Sequence, residues 1–335
     1  MFFNHRNYST VLVIIFSIFF SKFTYSQVID SVSANKRKKI LSETLERFPI
    51  NRPLNVEYMQ LIPYSYSSEL YGNEIPKTKV KSLSQINVYG SIPIIRKKKW
   101  SIGTSLKYQN LSGSVEETDP TNNLVVEKKE SFHNFAASVN FTYYARLFNK
   151  SILLTASPIV DGGNEGFERI TGIATATWIM KATATKRISL GAAGIIDPSA
   201  QIPAFLTFSY EQKFKNGYSL DLILPSRLMI RKEIFENGRI SAGTEMGGLS
   251  FYLYNIDNSG KTYSYRQMFL NSGFTYEHNL GKTLIATFKT GVRNALTTRI
   301  VEKGGASRDY IFKSSQDPTF YFNIGVSFNP FRKKN

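Results

Sequence analysis

Cysteine is absent from the 335 residues of this chain. Its absence excludes a disulfide-stapled scaffold and a metal site with cysteine ligands. It also excludes a lipid-anchored lipoprotein, because such a protein needs a cysteine at its mature start. A chain without thiols suits a protein that crosses an oxidising compartment before it folds.

Long hydrophobic runs are also missing after the first 26 residues, because no later window reaches the roughly eighteen apolar residues of a membrane-spanning helix. The aromatic share is nonetheless 14%, and the mean hydropathy is negative. This combination excludes a helical membrane protein and favours strands with one apolar face and one polar face.

The N-terminal segment 1–26 reads as a secretory signal peptide. A basic start at Arg6 precedes the apolar run 11–20, and small residues lead to a cleavage site before Gln27. An uncleaved membrane anchor is the alternative. We therefore expect an exported protein, with a short periplasmic segment over 27–53 and a basic tail over 332–335.

From residue 54 to residue 331 the pattern has a period of two. In the segment 320–328, FYFNIGVSF, the apolar residues alternate with polar or small ones, and several segments of ten residues or more behave alike. Side chains of a strand point alternately to its two faces. The polar faces are rich in Gly, Ser, Thr and Asn, as a barrel lumen is, and aromatic residues flank the connections. We predict an all-β fold, a closed antiparallel transmembrane β-barrel.

The connections between these segments fall into two classes that interleave. Short connections at six places, the first at 96–99, alternate with longer ones such as 113–129 and 300–317, apart from a tight turn at 225–226. Thirteen connections imply about fourteen strands, and twelve is the alternative because the strands near 218–234 are short. Outer-membrane barrels keep short turns on the periplasmic side and longer loops outside.

Three segments carry a family resemblance that covers roughly residues 54 to 331. They are the opening strand 55–66, NVEYMQLIPYSY, the turn Leu224-Pro225-Ser226, and the closing segment 320–328. The chain resembles an uncharacterised family of Gram-negative outer-membrane β-barrel proteins. The resemblance implies a place in the cell outer membrane. It also implies contact with the barrel insertion machinery, which reads a terminal aromatic such as Phe328 or Phe331.

Residues able to carry chemistry are sparse. Of the three histidines, His5 leaves with the signal peptide, and His133 and His278 are predicted at opposite ends of the barrel, which argues against a metal site. Ser131 shares a strand face with His133, as a membrane-embedded lipid hydrolase would require. We find no cofactor motif and predict no cofactor and no enzymatic activity.

The net charge of +17 raises the question of anionic partners. The basic runs, which include 36–39 and 96–99, mark turns and tails on one predicted side. A nucleic-acid surface would instead interleave them with exposed aromatic residues. We therefore predict no nucleic-acid partner, and we assign these runs either to outer-membrane lipid headgroups or to solubilising turns.

Charges on the inward faces give the best indication of function. Strand alternation predicts seven lumen-facing residues: Lys107, Arg146, Glu211, Asp221, Glu277, Lys289 and Arg293. Charged rings select solutes, while mixed charges also pair and close a barrel. The first hypothesis is a channel or transporter for small solutes, and the second is a closed structural or surface-binding barrel. The third is a membrane-embedded lipid hydrolase.

Overall fold

A computed structural model describes residues 52–118 and 125–330. The predicted signal peptide over 1–26, nearly all of the predicted periplasmic segment 27–53 and the basic tail 332–335 lie outside the described residues. Those three assignments remain predictions.

The described chain folds into strands and turns. The strands are β1 Leu54–Leu61, β2 Tyr64–Leu70, β3 Asn73–Arg96, β4 Trp100–Thr118, β5 Val125–Leu147, β6 Lys150–Gly163, β7 Gly166–Ala182, β8 Lys186–Ile196, β9 Ala204–Lys213, β10 Tyr218–Leu224, β11 Arg227–Ile234, β12 Gly238–Tyr254, β13 Thr262–Leu280, β14 Leu284–Glu302, β15 Tyr310–Gln316 and β16 Thr319–Phe328.

The sheet closes on itself, because β1 pairs antiparallel with both β3 and β16. The sixteen segments form one ring. Pro63 separates β1 from β2, and Pro318 separates β15 from β16 directly opposite. Proline has no backbone N–H for the ladder, so both strands break at the same level. Each pair of segments is one interrupted strand, and the predicted fourteen-stranded closed antiparallel barrel is confirmed. No helix in the described residues is long and apolar enough to cross a membrane.

The two ends of the barrel differ in what they carry. We call the end with the first residues of β1 and the last of β16 the terminal end, and the opposite end the loop end. Each turn at the terminal end is short, as predicted. Two loop-end connections predicted to be longer, at 70–79 and 161–166, are tight turns at residues 71–72 and 164–165, and the predicted tight turn at 225–226 is confirmed. Around 71–72 and 164–165 the paired strands continue with polar residues on both faces. The hydrophobic alternation therefore ends before the backbone hydrogen bonds between the strands do.

The two faces of the wall differ in exposure. Along β16, Phe320 is 60% exposed and Ile324 is 53% exposed, whereas Asn323 and Ser327 are buried. Large apolar side chains therefore cover the outside of the barrel, and small or polar ones point to its interior. This inversion of the usual soluble pattern is typical of a barrel that contacts lipid.

Candidate functional site

The loop end of the interior is partly filled by the β8–β9 connection, residues 197–203, which folds inward. Ser199 is fully buried. Arg169 Nη1 donates a hydrogen bond to Asp197 Oδ1 at 2.9 Å, and Arg266 Nη2 donates to Asp197 Oδ2 at 3.1 Å. Both guanidinium groups also donate to the Ser199 hydroxyl. A single acidic side chain of the loop therefore joins β7 to β13.

The same loop makes further contacts on both sides of the opening. Gln201 accepts a hydrogen bond from Thr297 on β14. On the other side, Arg169 pairs with Asp161 at 3.2 Å, and the Tyr252 hydroxyl donates to Asp161 Oδ1 at 2.6 Å. These contacts tie β6, β7, β12 and β14 together around the inward-folded loop and narrow the opening.

An apolar cluster inside the barrel lies beside this polar network. Leu111, Leu249, Phe251 and Phe269 are buried together, with partly buried neighbours packed against them. Alternation places aliphatic and aromatic residues inside a barrel when its lumen is packed. The cluster excludes water from this part of the interior.

Between the apolar cluster and the terminal end lies a polar cavity of about 140 Å³. The charged residues in its lining are Glu57, Glu245, Lys289 and Arg293. Lys289 Nζ lies 3.1 and 3.2 Å from the two carboxylate oxygens of Glu57. Gly247 also lines the cavity, and a Cβ there would lie 2.4 Å from the Phe269 ring. The missing side chain leaves room for that ring.

Arg293 is the most unusual of these residues because it is 1% exposed. Its Nε donates to Asn271 Oδ1 at 2.9 Å, and its guanidinium carbon lies 3.8 Å from the centroid of the Phe269 ring. Its Nη1 has no hydrogen-bond partner. In the described part of the chain no acidic side chain pairs with it. A buried cation without a counter-ion costs several kcal/mol unless a ligand or ordered water compensates it.

The terminal end of the interior holds a cluster of ion pairs. Arg52 is fully buried, and its Nη2 donates to Glu277 Oε1 at 2.6 Å, while its Nη1 donates to Ser327 Oγ. Arg239 Nε donates to the second oxygen of Glu277 at 2.8 Å. Arg52, two residues before β1, therefore enters the barrel and shares the Glu277 carboxylate with Arg239 of β12.

The seven residues predicted to face the lumen take different places. Asp221, Glu277 and Arg293 are buried, and Lys289 lines the cavity. Asp221 pairs with two arginines, Arg227 at 2.6 Å and Arg231 at 2.8 Å.

The remaining three lie outside the cavity lining. Glu211 lies 3.8 Å from Arg187, Lys107 is half-buried, and Arg146 is exposed near the terminal end. The structure brings Lys289 and Arg293 to one cavity. It leaves Arg146, Glu211 and Asp221 elsewhere, and a solute-selecting role for the seven stays a prediction.

Several residues of the interior escaped the sequence analysis. Asp197 lies in the polar connection between β8 and β9, where the sequence gives no sign of an inward course, and Arg169 lies on a strand with poor alternation. Glu57 alternates with apolar neighbours in β1, so its inward direction was available from the sequence. Arg52 precedes the first strand, so the period-two alternation of the strands does not predict its burial.

A separate polar cluster lies on the outer face near the loop end. Asn110 Nδ2 donates to Ser131 Oγ at 2.9 Å and lies 3.4 Å from His133 Nδ1. The Tyr108 hydroxyl lies 2.9 Å from the same Nδ1. Asn110 therefore lies between the serine and the histidine. Within the described residues no hydrogen bond joins Ser131 to His133, and a serine nucleophile needs such a bond to its base. No group of three potential metal ligands occurs in residues 52–118 and 125–330 either.

Solved structures that align with this chain include outer-membrane β-barrels. The toluene transporter TodX of Pseudomonas putida aligns at 8% identity with a TM-score of 0.39, over 88% of this chain and 93% of that one. An outer membrane channel of Pseudomonas putida F1 aligns at 10% identity and 0.36, over 84% and 96%. Outer membrane phospholipase A of Escherichia coli aligns at 10% and 0.29, over 80% and 98%.

No family model matches this chain. No curated protein matches it either, so the predicted family resemblance stays a prediction. The TM-scores of the three barrels are too low to carry an argument about function.

Proposed function

We propose that this chain is an outer-membrane β-barrel that binds a small polar solute inside its lumen and lets it pass. The observation that carries the proposal is the polar cavity with the uncompensated cation of Arg293 in its lining. In the conformation described, the inward-folded loop 197–203 and the apolar cluster narrow the path on one side. Arg52 narrows it on the other.

The exposed surface supports a membrane location. Apolar side chains as large as Phe274, which is 59% exposed, and Leu206, which is 76% exposed, cover the outer face. A soluble barrel with such a surface would aggregate. The outer-membrane lipids then become the first partners of the chain, and the barrel insertion machinery becomes its route into the membrane.

The closed structural barrel is the competing hypothesis, and the cavity argues against it. Such a barrel gains stability when its interior is filled and its charges are paired, as Asp221 and Glu277 are. An interior cation without a counter-ion lowers stability, as do the unpartnered carbonyl oxygens of Gln85 and Gln109. These costs make sense when the cavity receives a ligand.

The test is the passage of small solutes through the full chain reconstituted in liposomes. Phe251→Ala should increase the rate of liposome swelling severalfold, because it removes a buried ring from the apolar cluster. Its cost to the free energy of unfolding should be about 3–5 kcal/mol. Phe274→Ala is the matched control, since that ring points outward, and its swelling rate should equal that of the natural chain. A lack of swelling for all three proteins would favour the closed structural barrel.

A further inference from the structure

We propose that the cavity binds a small zwitterion of the amino-acid class, with the solute carboxylate on Arg293 and its cationic group on Glu245. The inference deepens the proposed function, since it names the class of solute for the same cavity. It rests on the unequal charge pairing in the lining and on the strand register that sets the distance between the two ends.

The anionic end is indicated by Arg293. Its guanidinium is nearly inaccessible to solvent, its Nη1 has no hydrogen-bond partner, and Asn271 and Met59 supply neutral contacts on its other nitrogens. Arginine binds carboxylates through two parallel hydrogen bonds. A solute carboxylate would supply both the missing charge and the missing acceptor. In this proposal it reaches the guanidinium when the flexible Met59 side chain, whose sulfur lies 2.8 Å from Nη2 in the cavity lining, moves aside.

The cationic end is indicated by Glu245. Its side chain is 43% exposed, and its nearest ion-pair contact is at 3.7 Å to Arg227. That arginine is already paired with Asp221 at 2.6 Å. Glu245 is therefore the carboxylate of the lining with the weakest compensation, because Glu57 is held by Lys289 and Asn323.

The strand register places these two ends at a suitable separation. Glu245 on β12 pairs with Asn271 on β13, and Asn271 pairs with Arg293 on β14. The three side chains form one row across adjacent strands and all line the cavity. Two strand spacings separate the backbones of β12 and β14 by about 10 Å. Side chains that converge from both ends leave room for a solute with a few heavy atoms between its charges.

The neutral groups of the lining favour a ligand with hydrogen-bond donors over a simple anion. Gln85 and Gln109 both donate their amide hydrogens to Asn87 Oδ1, at 2.7 and 2.8 Å. Their carbonyl oxygens are left as buried acceptors without partners. An inorganic anion or acetate has no donor to offer these oxygens or Glu245, whereas an ammonium group has three.

The experiment measures solute binding to the refolded full chain in detergent micelles by saturation-transfer NMR titration. The probes are glycine, acetate and methylammonium, which carry both ends, the anionic end alone and the cationic end alone. Glycine should bind at least tenfold more tightly than either single-ended probe. Acetate that binds as tightly as glycine would overturn the proposal.

Matched variants separate the two ends. Arg293→Gln and Glu245→Gln should each weaken glycine binding at least tenfold. Arg299→Gln is the control, because it removes a cation from the same strand outside the cavity lining. Barrel folding of each variant is checked by circular dichroism. Unchanged glycine binding in folded Arg293→Gln or Glu245→Gln protein would also overturn the proposal.

Binding and passage fail in distinguishable ways. If glycine binds with the expected preference while liposomes never swell, the proposed transport is wrong and the solute class stands. If solutes pass without any preference for glycine in the binding titration, the solute class is wrong and the transport proposal stands.

Discussion

Removal of one charge from the inward-folded loop should both destabilise the barrel and open its loop end. Asp197 compensates Arg169 and Arg266, and the exposed fraction of its side chain is 7%. Arg169 keeps a second partner in Asp161, but among the described residues Arg266 pairs with no acid other than Asp197. The variant Asp197→Asn preserves the size of the side chain and leaves Arg266 without a counter-ion.

The magnitude follows from the burial of the pair. Removal of one partner from a buried ion pair costs about 3–5 kcal/mol. The Arg266 side chain is 18% exposed, so solvent screens part of this loss. We expect a loss of about 2–3 kcal/mol in the free energy of unfolding, measured by denaturant titration in lipid bilayers.

The same variant should change passage. With the loop 197–203 released from β13, the open probability in planar bilayers should rise severalfold over the natural chain. Asp309→Asn is the control, since Asp309 is 65% exposed and its contact with Arg308 is at 3.7 Å. If Asp197→Asn matches this control in both stability and open probability, the loop is neither a stabilising plug nor a constriction.

Three further predictions concern the membrane and the loop end. Phe288→Arg should cost about 2–4 kcal/mol in a bilayer, whereas Phe288→Leu should cost under about 1.5 kcal/mol, because Phe288 is 45% exposed on the outer face; equal losses in denaturant titrations would contradict that assignment. An epitope inserted at Ser259 should bind antibody on intact cells, and one at Lys98 should bind after permeabilisation alone; the reverse labelling would invert the orientation. Hydrogen bonds from Ser259 and Tyr263 lower the pKa of Asp257 to about 2. Their stabilisation of the turn should therefore be complete above the ordinary carboxyl pKa and should disappear as pH falls through 2. A midpoint near 4 in an NMR titration of Asp257 would contradict this prediction.

Much of the architecture of this protein can be predicted from its sequence. Alternation along 320–328 predicted a face with Phe320 and Ile324 and a face with Asn323, and the structure has both. The number of connections predicted fourteen strands. A period of two is a local property of the chain, so it survives in the sequence without knowledge of the partners.

The ends of the strands are harder to predict from the sequence. Around the hairpins at 71–72 and 164–165 the sequence predicts longer loops, because polar residues occupy both faces there. Backbone hydrogen bonds continue in such segments, but nothing in the pattern of apolar residues reports them. The inward course of the loop 197–203 was hidden for a similar reason, since a polar loop reads the same whether it faces water or fills a lumen.

Local alternation by itself determined that Asp221, Glu277, Lys289 and Arg293 belong to an inward face. The tertiary structure alone decided their partners. Glu277 meets Arg52 from 225 positions away, while Arg293 meets no acid in the described part of the chain. The direction in which a side chain points depends on the pleat of its own strand, because successive side chains alternate between the two faces. Charge pairing depends on which distant strands the closed ring brings together, and a linear pattern carries no information about that distance.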